Sequence, residues 1–374
     1  MTGAGSVALV GAGLAAGALL LARVPRPGRA GAAPPGVRAS IVVPARDEAA
    51  TLPTLLASLR DLEPPAAEVI VVDDGSRDGT ARVAAAHGAR VVPASPPAGW
   101  AGKPWACHVG AQAARGSLLV FLDADTRLAP GALGRLLAEQ AAHGGLVSVQ
   151  PHHEAVRAHE QLSAFFSVVA MMGTGAFAPG RRGRARMAFG PCLVTAAEDY
   201  RAVGGHAAVR GEVVEDVHLA RRYAAHGLPV RCLAGGNDVR FRMYPTGPSQ
   251  LVEGWTKNIA AGAGLAPPWA AAGTAAWVAS CAAVATAGVR GGVAWATGTG
   301  PPPAVAAAAW LVVAGELWWM LRRVGSWRPW AALAFPVPLA VFVGVFARSA
   351  ALALLGREVT WRSRRVPAGA GRRR

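Results

Sequence analysis

Three acidic pairs stand where chemistry could be done: Asp73 and Asp74 in "VIVVDDGSRDGT", Asp123 and Asp125 in "FLDADT", and Glu215 and Asp216 in "GEVVEDVHLARRYAAHG". The first two pairs end apolar runs. Carboxylates at the end of a buried strand are costly unless negative charge or hydrogen-bond acceptors are wanted there. In an extended segment, residues two apart project on one side, so Asp123 and Asp125 could hold a hard divalent cation whose shell diphosphate oxygens complete. Such an ion neutralises charge building on a departing nucleotide diphosphate. Alone, D-x-D also occurs by chance in surface loops; its position at a strand end, downstream of Asp73–Asp74, gives it weight. Glu215–Asp216 precedes a helical stretch. It reads either as an acidic helix start favoured by the macrodipole or as a general base opposite a leaving group.

The elements that must position these carboxylates are legible between residues 39 and 145. "SIVVPA", "EVIVVDD", "RVVPA" and "SLLVFLDAD" read as buried strands, with helical stretches between them over 49–60, "TARVAAAHGA" and "PWACHVGAQAARG". Strands alternating with helices predict a parallel α/β sheet with right-handed crossovers. Ligands bind such sheets at the carboxyl ends of the strands, where the acidic residues fall. Beyond 145 the regularity loosens. "LSAFFSVVAMMGTGAFA", residues 162–178, fits equally a buried core helix or a helix lying at a membrane surface, with the basic run "RRGRAR" meeting anionic headgroups.

Composition adds a membrane. The 374 residues are 52% hydrophobic and 16% charged, yet the formal net charge is +16. High hydropathy with a basic excess suits a membrane protein whose Lys and Arg lie on the cytoplasmic side. No basic segment is interleaved with aromatics and no nucleic-acid motif appears, so no nucleic-acid partner is expected. The four scattered cysteines have neither metal-ligand nor secreted-disulfide spacing and read as buried thiols. Residues 1–22 are expected to be a transmembrane anchor with Arg23, Arg26 and Arg29 after it, and 23–38 a linker. Segments 268–288, 303–321 and 330–355 are long and apolar enough to span. If all three did, the basic tail would end outside, against the positive-inside tendency; Pro336 and Pro338 suit a hairpin or re-entrant element instead. The glycines of "GAGLAAG" lack the preceding strand that a dinucleotide fingerprint needs.

"VVPARDEAATLP", "VVDDGSRDGT", "FLDAD", "FGPC", "GGH" and "VVEDVHLA", in this order, resemble the family 2 glycosyltransferases over roughly residues 40–260. The resemblance implies an α/β GT-A fold with a mostly parallel sheet over 39–260; the apolar segments after it are expected as C-terminal transmembrane helices over 261–360, with a basic tail over 361–374. It implies that Asp74 reads the nucleotide base, that Asp73 shapes that pocket, and that Asp123 lies near the ribose. Asp125 is implied as the ligand of a divalent metal, Mn2+ or Mg2+, and Asp216, with Glu215 beside it, as the catalytic base. The family's first strand usually ends in Asn-Glu; here Asp47-Glu48 stands instead, and no role for residue 47 is carried over.

"GWAGKPWA", "EQLSAFF" and "RFRMYPTGPSQLVEGWTKN" resemble more narrowly the bacterial glycosyltransferases of carotenoid biosynthesis, the 4,4′-diaponeurosporenoate glycosyltransferase group. The implied partners are a nucleotide-diphosphate sugar, UDP-glucose first, a lipid acceptor and membrane lipids. The implied place is the cell membrane, multi-pass, with the catalytic domain cytoplasmic. Lys103, beside a helix start, reads as a point charge for the diphosphate or as a solvated loop lysine. Trp255 and Lys257 fall where processive relatives carry Gln-x-x-Arg-Trp; that motif is broken here, which fits transfer of one sugar to a lipid. Trp255 also suits a membrane-interface anchor. The acceptor readings are a carotenoid acid, a hopanoid, a polyprenyl phosphate or a glycerolipid. A reading of another class is a membrane nucleotide-sugar-binding protein without turnover.

Overall fold

A computed structural model describes residues 3–28, 35–181, 185–212, 214–355, 358–361 and 364–367. Part of the expected linker, the middle of the "RRGRAR" run and the end of the basic tail lie outside these described residues. In chain order, α1 (Gly3–Leu20) precedes β1 (Ala39–Ala45), α2 (Leu52–Arg60), β2 (Glu68–Asp73), α3 (Thr80–Ala86), β3 (Arg90–Pro93) and α4 (Gly102–Ala113). Then come β4 (Leu118–Leu122), β5 (Thr126–Leu128), α5 (Ala132–His143), β6 (Leu146–Gln150), β7 (His152–Glu154) and α6 (Ala164–Gly173). β8 (Cys192–Ala196), α7 (Ala197–Ala202), α8 (Glu215–Ala225), β9 (Val230–Ala234), β10 (Val239–Phe241) and α9 (Pro248–Gly262) follow. The chain continues through α10 (Pro268–Ala296), α11 (Ala304–Val324), β11 (Gly325–Ser326), α12 (Pro329–Leu333) and α13 (Pro336–Leu354) to the strand pair β12 (Glu358–Trp361) and β13 (Arg364–Pro367).

The main sheet has seven strands in the order β3-β2-β1-β4-β8-β6-β9, and only β8 runs against the others. The expected mostly parallel α/β sheet is therefore present. Its central strands are apolar without alternation because helices cover both faces: Ile41, Val42, Val43, Ile70, Val71, Val72 and Val120 are all buried. β1, β2 and β4 end on the same edge, which carries Asp73, Asp74 and Asp123.

A smaller sheet, β11-β7-β10-β5, stitches the C-terminal region to this domain. β11 lies between two of the apolar helices, yet it pairs parallel with β7, Gly325 beside His153 and Ser326 beside Glu154. The Arg328 amide donates to Gln161 Oε1 at 2.9 Å in the same joint.

Three helices are long and apolar enough to cross a membrane: Pro268–Ala296, Ala304–Val324 and Pro336–Leu354. α1 packs antiparallel along α10. A Cβ on Gly13 would fall 2.6 Å from the Ala276 carbonyl, and one on Gly17 2.2 Å from the Trp277 ring. Gly13 and Gly17 of "GAGLAAG" thus serve close helix–helix approach. The stretch 162–178 belongs to the core: Phe165 and Phe166 are buried against Trp277, Trp255 and Phe342. The surface-helix reading fails there, because the apolar residues of α6 are covered by protein. The last apolar segment is not one span from 330 to 355 but two pieces, the short α12 and the longer α13.

Candidate active site

The loop after β1 and the loop after β2 are clamped together by backbone donors and short polar side chains. The Asp47 amide donates to Ser76 Oγ at 3.0 Å, and Asp47 Oδ1 accepts from the Arg77 amide at 2.9 Å. The Glu48 amide reaches Thr80 Oγ1, and the Ala49 amide reaches Asp78 Oδ2, both at 2.9 Å. Burial alone would raise the Asp78 pKa, but hydrogen bonds from Thr80 and Ala49 outweigh it and hold the carboxyl below its ordinary value. Asp47 has φ +52°, a left-handed position that Asn and Asp tolerate better than other side chains. Asp47 thus supplies both the left-handed turn and an acceptor for the Arg77 amide.

Within this clamp Asp73 Oδ1 accepts from the Ser76 amide at 3.2 Å, fixing the turn. Asp74 is 4% exposed. Arg46 Nη1 donates to its carbonyl at 2.7 Å and lies 3.9 Å from its Oδ2. Arg46, not singled out in the sequence, thus anchors the main chain at Asp74; a basic residue directly after a buried strand was the available signal.

The second constellation is assembled from four distant parts of the chain. Lys103, in the first turn of α4, places Nζ 2.7 Å from Asp123 Oδ1 and 3.2 Å from Glu215 Oε1. Asp216 follows Glu215 at the start of α8. A Cβ on Gly190, of "FGPC", would lie 3.1 Å from both Lys103 Nζ and Asp216 Oδ2. The bareness of Gly190 leaves room for both the Lys103 ammonium and the Asp216 carboxylate beside it, and its motif was the sequence signal. Lys103 is not a solvated loop lysine. Burial would lower its pKa, but Asp123 and Glu215 outweigh burial and raise it well above the ordinary lysine range, so it stays charged. Burial and the adjacent Glu215 push Asp216 up to about 7, against the pull of Lys103.

The D-A-D stretch departs from expectation. β4 ends at Leu122, and the Thr126 amide donates to the Asp123 carbonyl at 3.0 Å, making a turn rather than an extended run. The same-side argument for Asp123 and Asp125 therefore does not apply. Asp123 engages Lys103, whereas Asp125 acts electrostatically on Tyr244, whose hydroxyl is held above its ordinary pKa by burial and by that carboxylate. Among the described residues, no group of three or more His, Cys, Asp or Glu side chains is arranged to hold a metal ion. Asp125 fits a cation of the kind that keeps one or two protein carboxylates and completes its shell with substrate phosphates. Asp123, Asp125, Glu215 and Asp216 against Lys103 also leave the edge with an excess of carboxylates.

Tyr244 connects this edge to α9. It has φ +57°, its ring lies 5.8 Å from that of Trp255, and a Cβ on Gly254 would lie 2.2 Å from its ring. Trp255 is 7% exposed, stacks on Phe166 at 4.8 Å, and donates from Nε1 to Ser163 Oγ at 3.0 Å. That burial rules out an interface-anchor role for its ring. Lys257, two residues on, is half-buried. Beneath the segment, Glu160 is wholly buried and accepts from Arg242 at 2.8 Å and from the Arg157 amide at 2.9 Å.

Residues 40–184 match the model of glycosyl transferase family 2. The chain is 39% identical over 235 residues to the 4,4′-diaponeurosporenoate glycosyltransferase of Staphylococcus aureus strain USA300, covering 61% of this chain and 62% of that protein. It is 38% identical over 245 residues to the protein of the same name from the bovine strain RF122, covering 64% and 65%. The matched region thus spans less than two thirds of these relatives. Among solved structures, a mannosyltransferase from Pyrobaculum calidifontis, in complex with GDP-Man and Mn2+, superposes over 90% of this chain and 96% of its own, with a TM-score of 0.51 and 19% identity. That likeness is one of fold.

Proposed function

We propose that this chain, whose residues 40–184 match the family 2 glycosyltransferase model and which is similar to the 4,4′-diaponeurosporenoate glycosyltransferases, is a membrane-bound inverting glycosyltransferase. It moves one sugar from a nucleotide-diphosphate sugar, UDP-glucose first, to a lipid acceptor, a carotenoid acid first. The observation that carries this reading is the closure of Lys103, Asp123, Glu215 and Asp216 around Gly190 at the carboxyl edge of the sheet. Burial and the adjacent Glu215 raise the Asp216 pKa, the direction a general base needs, and this favours turnover over binding alone.

Asp74, buried at the end of β2, accepts from a base N–H, and Asp73 holds the turn that shapes the pocket. Asp125 is the residue to hold Mn2+ or Mg2+. That ion, when bound, supplies positive charge to the leaving diphosphate. Lys103 acts as the cation that fixes Asp123 and Glu215, rather than as a free point charge. Asp216 accepts the proton of an attacking alcohol; at about 7, its pKa lies near the working pH, where a base is most effective. A carboxylate acceptor arrives already ionised, and Asp216 then orients it. α9, with Lys257 on its surface and Trp255 locking it to Ser163, forms the acceptor side. The catalytic domain lies on the cytoplasmic face, where nucleotide sugars are available, and α1, α10 and α11 anchor it.

The test is transfer from UDP-[14C]glucose by detergent-purified protein, with Mn2+ or Mg2+ and a total lipid extract. Label is expected in the organic phase and is lost on chelation or in Asp125→Ala. Mass spectrometry of the labelled lipid then distinguishes a carotenoid acid from a hopanoid, polyprenyl phosphate or glycerolipid. Failure to bind any nucleotide sugar overturns the reading.

A further inference from the structure

The side of the membrane on which the chain ends follows from where α12 and α13 make their contacts. The segment leaving α11 starts at the catalytic domain: β11 pairs with β7, the Trp327 ring lies 5.0 Å from that of His153, and the Arg328 amide donates to Gln161. It next climbs along α11. Trp310 Nε1 donates to the Leu333 carbonyl at 2.8 Å, and the Phe335 ring lies 4.8 Å from the Trp310 ring. At 1.5 Å per residue, Trp310 lies about 21 Å along α11 from the end at Val324, deep within a bilayer core of about 30 Å.

From this apex the chain turns back. Phe342 packs on Phe165 and Phe166 of α6, and Ser349 Oγ, buried, donates to the Thr256 carbonyl of α9 at 2.8 Å. α9 belongs to the catalytic domain, since Trp255 beside Thr256 bonds Ser163. The path from Phe335 to Ser349 retraces about 21 Å of helix. α13 is thus long enough to cross, yet its two ends meet different depths of the same face.

We infer that residues 325–355 form a re-entrant hairpin which enters and leaves the bilayer on the catalytic side. The chain crosses three times, through α1, α10 and α11, and the strand pair β12–β13, with Arg364 and Arg365, lies with the catalytic domain. This rests on the membrane-bound reading above.

Charge supports the same path. Arg23, Arg26, Arg322, Arg323 and Arg328 all lie at catalytic-side helix ends, and Arg323 Nη1 donates to the Leu21 carbonyl at 2.9 Å. The far turn, 297–303, carries no Lys or Arg, and the basic residue nearest to it is Arg290 in the last two turns of α10. A tail containing Arg364, Arg365, Arg372, Arg373 and Arg374 on that far side would invert the positive-inside distribution. Arg348 is exposed and precedes Ser349. In an outward span it would lie about 18 Å in from Pro336; in the hairpin it reaches the headgroups beside α9. The cost of a lipid-facing arginine at depth separates the two paths. Pro336 and Pro338 sit in the first turn of α13, where missing N–H groups cost least, so the reversal leaves few unsatisfied donors.

The experiment is single-cysteine labelling of the full chain in its native membrane, with a membrane-impermeant maleimide, before and after permeabilisation. The four native cysteines are buried and stay silent. Ala85→Cys reports the catalytic domain, Thr299→Cys the far turn and Ala370→Cys the tail. Ala370→Cys is expected to label with Ala85→Cys and opposite to Thr299→Cys. Labelling of Ala370→Cys together with Thr299→Cys, opposite to Ala85→Cys, means that α13 crosses and overturns the hairpin while leaving the membrane reading intact. If Ala85→Cys and Thr299→Cys label from the same side, the membrane reading itself fails. Protease removal of a C-terminal tag from inverted vesicles provides a second readout and must agree.

Discussion

Asp73–Asp74 and Glu215–Asp216 are both adjacent carboxylate pairs at the working edge of one sheet, yet they are held in opposite ways. The first is wired by its own neighbourhood: a turn amide from Ser76 and the guanidinium of Arg46, from the adjacent strand. The second depends on Lys103, more than a hundred residues earlier, and on the bare backbone of Gly190. A locally wired carboxylate is a fixed acceptor suited to recognition. One held by a distant cation among other carboxylates has a proton affinity that the fold can tune, which suits proton transfer. The comparison teaches that residue type marks a site, whereas the partner's distance along the chain marks its role.

The sharpest way to break that contrast is Asp216→Asn. With an alcohol acceptor, kcat should fall about 10²- to 10⁴-fold, the usual range for loss of a general base; with a carboxylate acceptor the loss should be clearly smaller. Equal losses with both acceptor types would remove Asp216 from proton transfer. In the unchanged protein, alcohol transfer should decline as pH drops through about 7, where Asp216 takes up its proton. The stability sign runs the other way. A carboxyl whose folded pKa is raised stabilises the fold when protonated and loses that contribution as pH rises through about 7. Asp216→Asn should therefore melt at a higher temperature than the parent at pH 8, and calorimetry or thermal-shift measurement in detergent checks it.

Lys103→Met comes next. It leaves Asp123 and the buried Glu215 without their cation and should cost about 2 kcal/mol of stability, discounted from the buried-pair figure because Lys103 is partly exposed. Activity should fall with it, and Lys103→Arg should recover more stability than activity. Gly190→Ala should lower kcat about tenfold with an unchanged melting temperature, since its methyl would stand 3.1 Å from both Lys103 and Asp216 and displace their side chains by tenths of an ångström. The smallest effect belongs to the locally wired pair. Asp74→Asn should raise the donor KM about tenfold with little change in kcat, as loss of one charged hydrogen bond to a base predicts. A kcat effect as large as that of Asp216→Asn would erase the distinction between the two pairs.

The strands and their order of use were legible because buried parallel strands are continuous apolar runs and their ends are marked by Asp, Gly and Ser. Asp47 is legible as a departure from a pattern, but its left-handed backbone is invisible in a letter code. D-A-D has no residue that demands a turn and suits an extended run, yet the Thr126 amide closes a turn at Asp123–Asp125. Trp255 looked like an interface residue because Trp is common at membrane surfaces. Its burial comes from Phe166 and Ser163, nearly a hundred residues away.

By itself the sequence determined an apolar α/β sheet with carboxylates at its working edge, apolar helices around it and a basic excess. These follow from hydrophobic periodicity and residue chemistry, which act within one element. Only the tertiary structure decided that Asp123 turns to Lys103 rather than to Asp125, that Asp216 is desolvated beside Glu215 and Gly190, and that α13 returns to α9 after reaching Trp310. Proton affinity and chain direction in space depend on groups that folding brings together from distant positions, and no local pattern of residues carries that information.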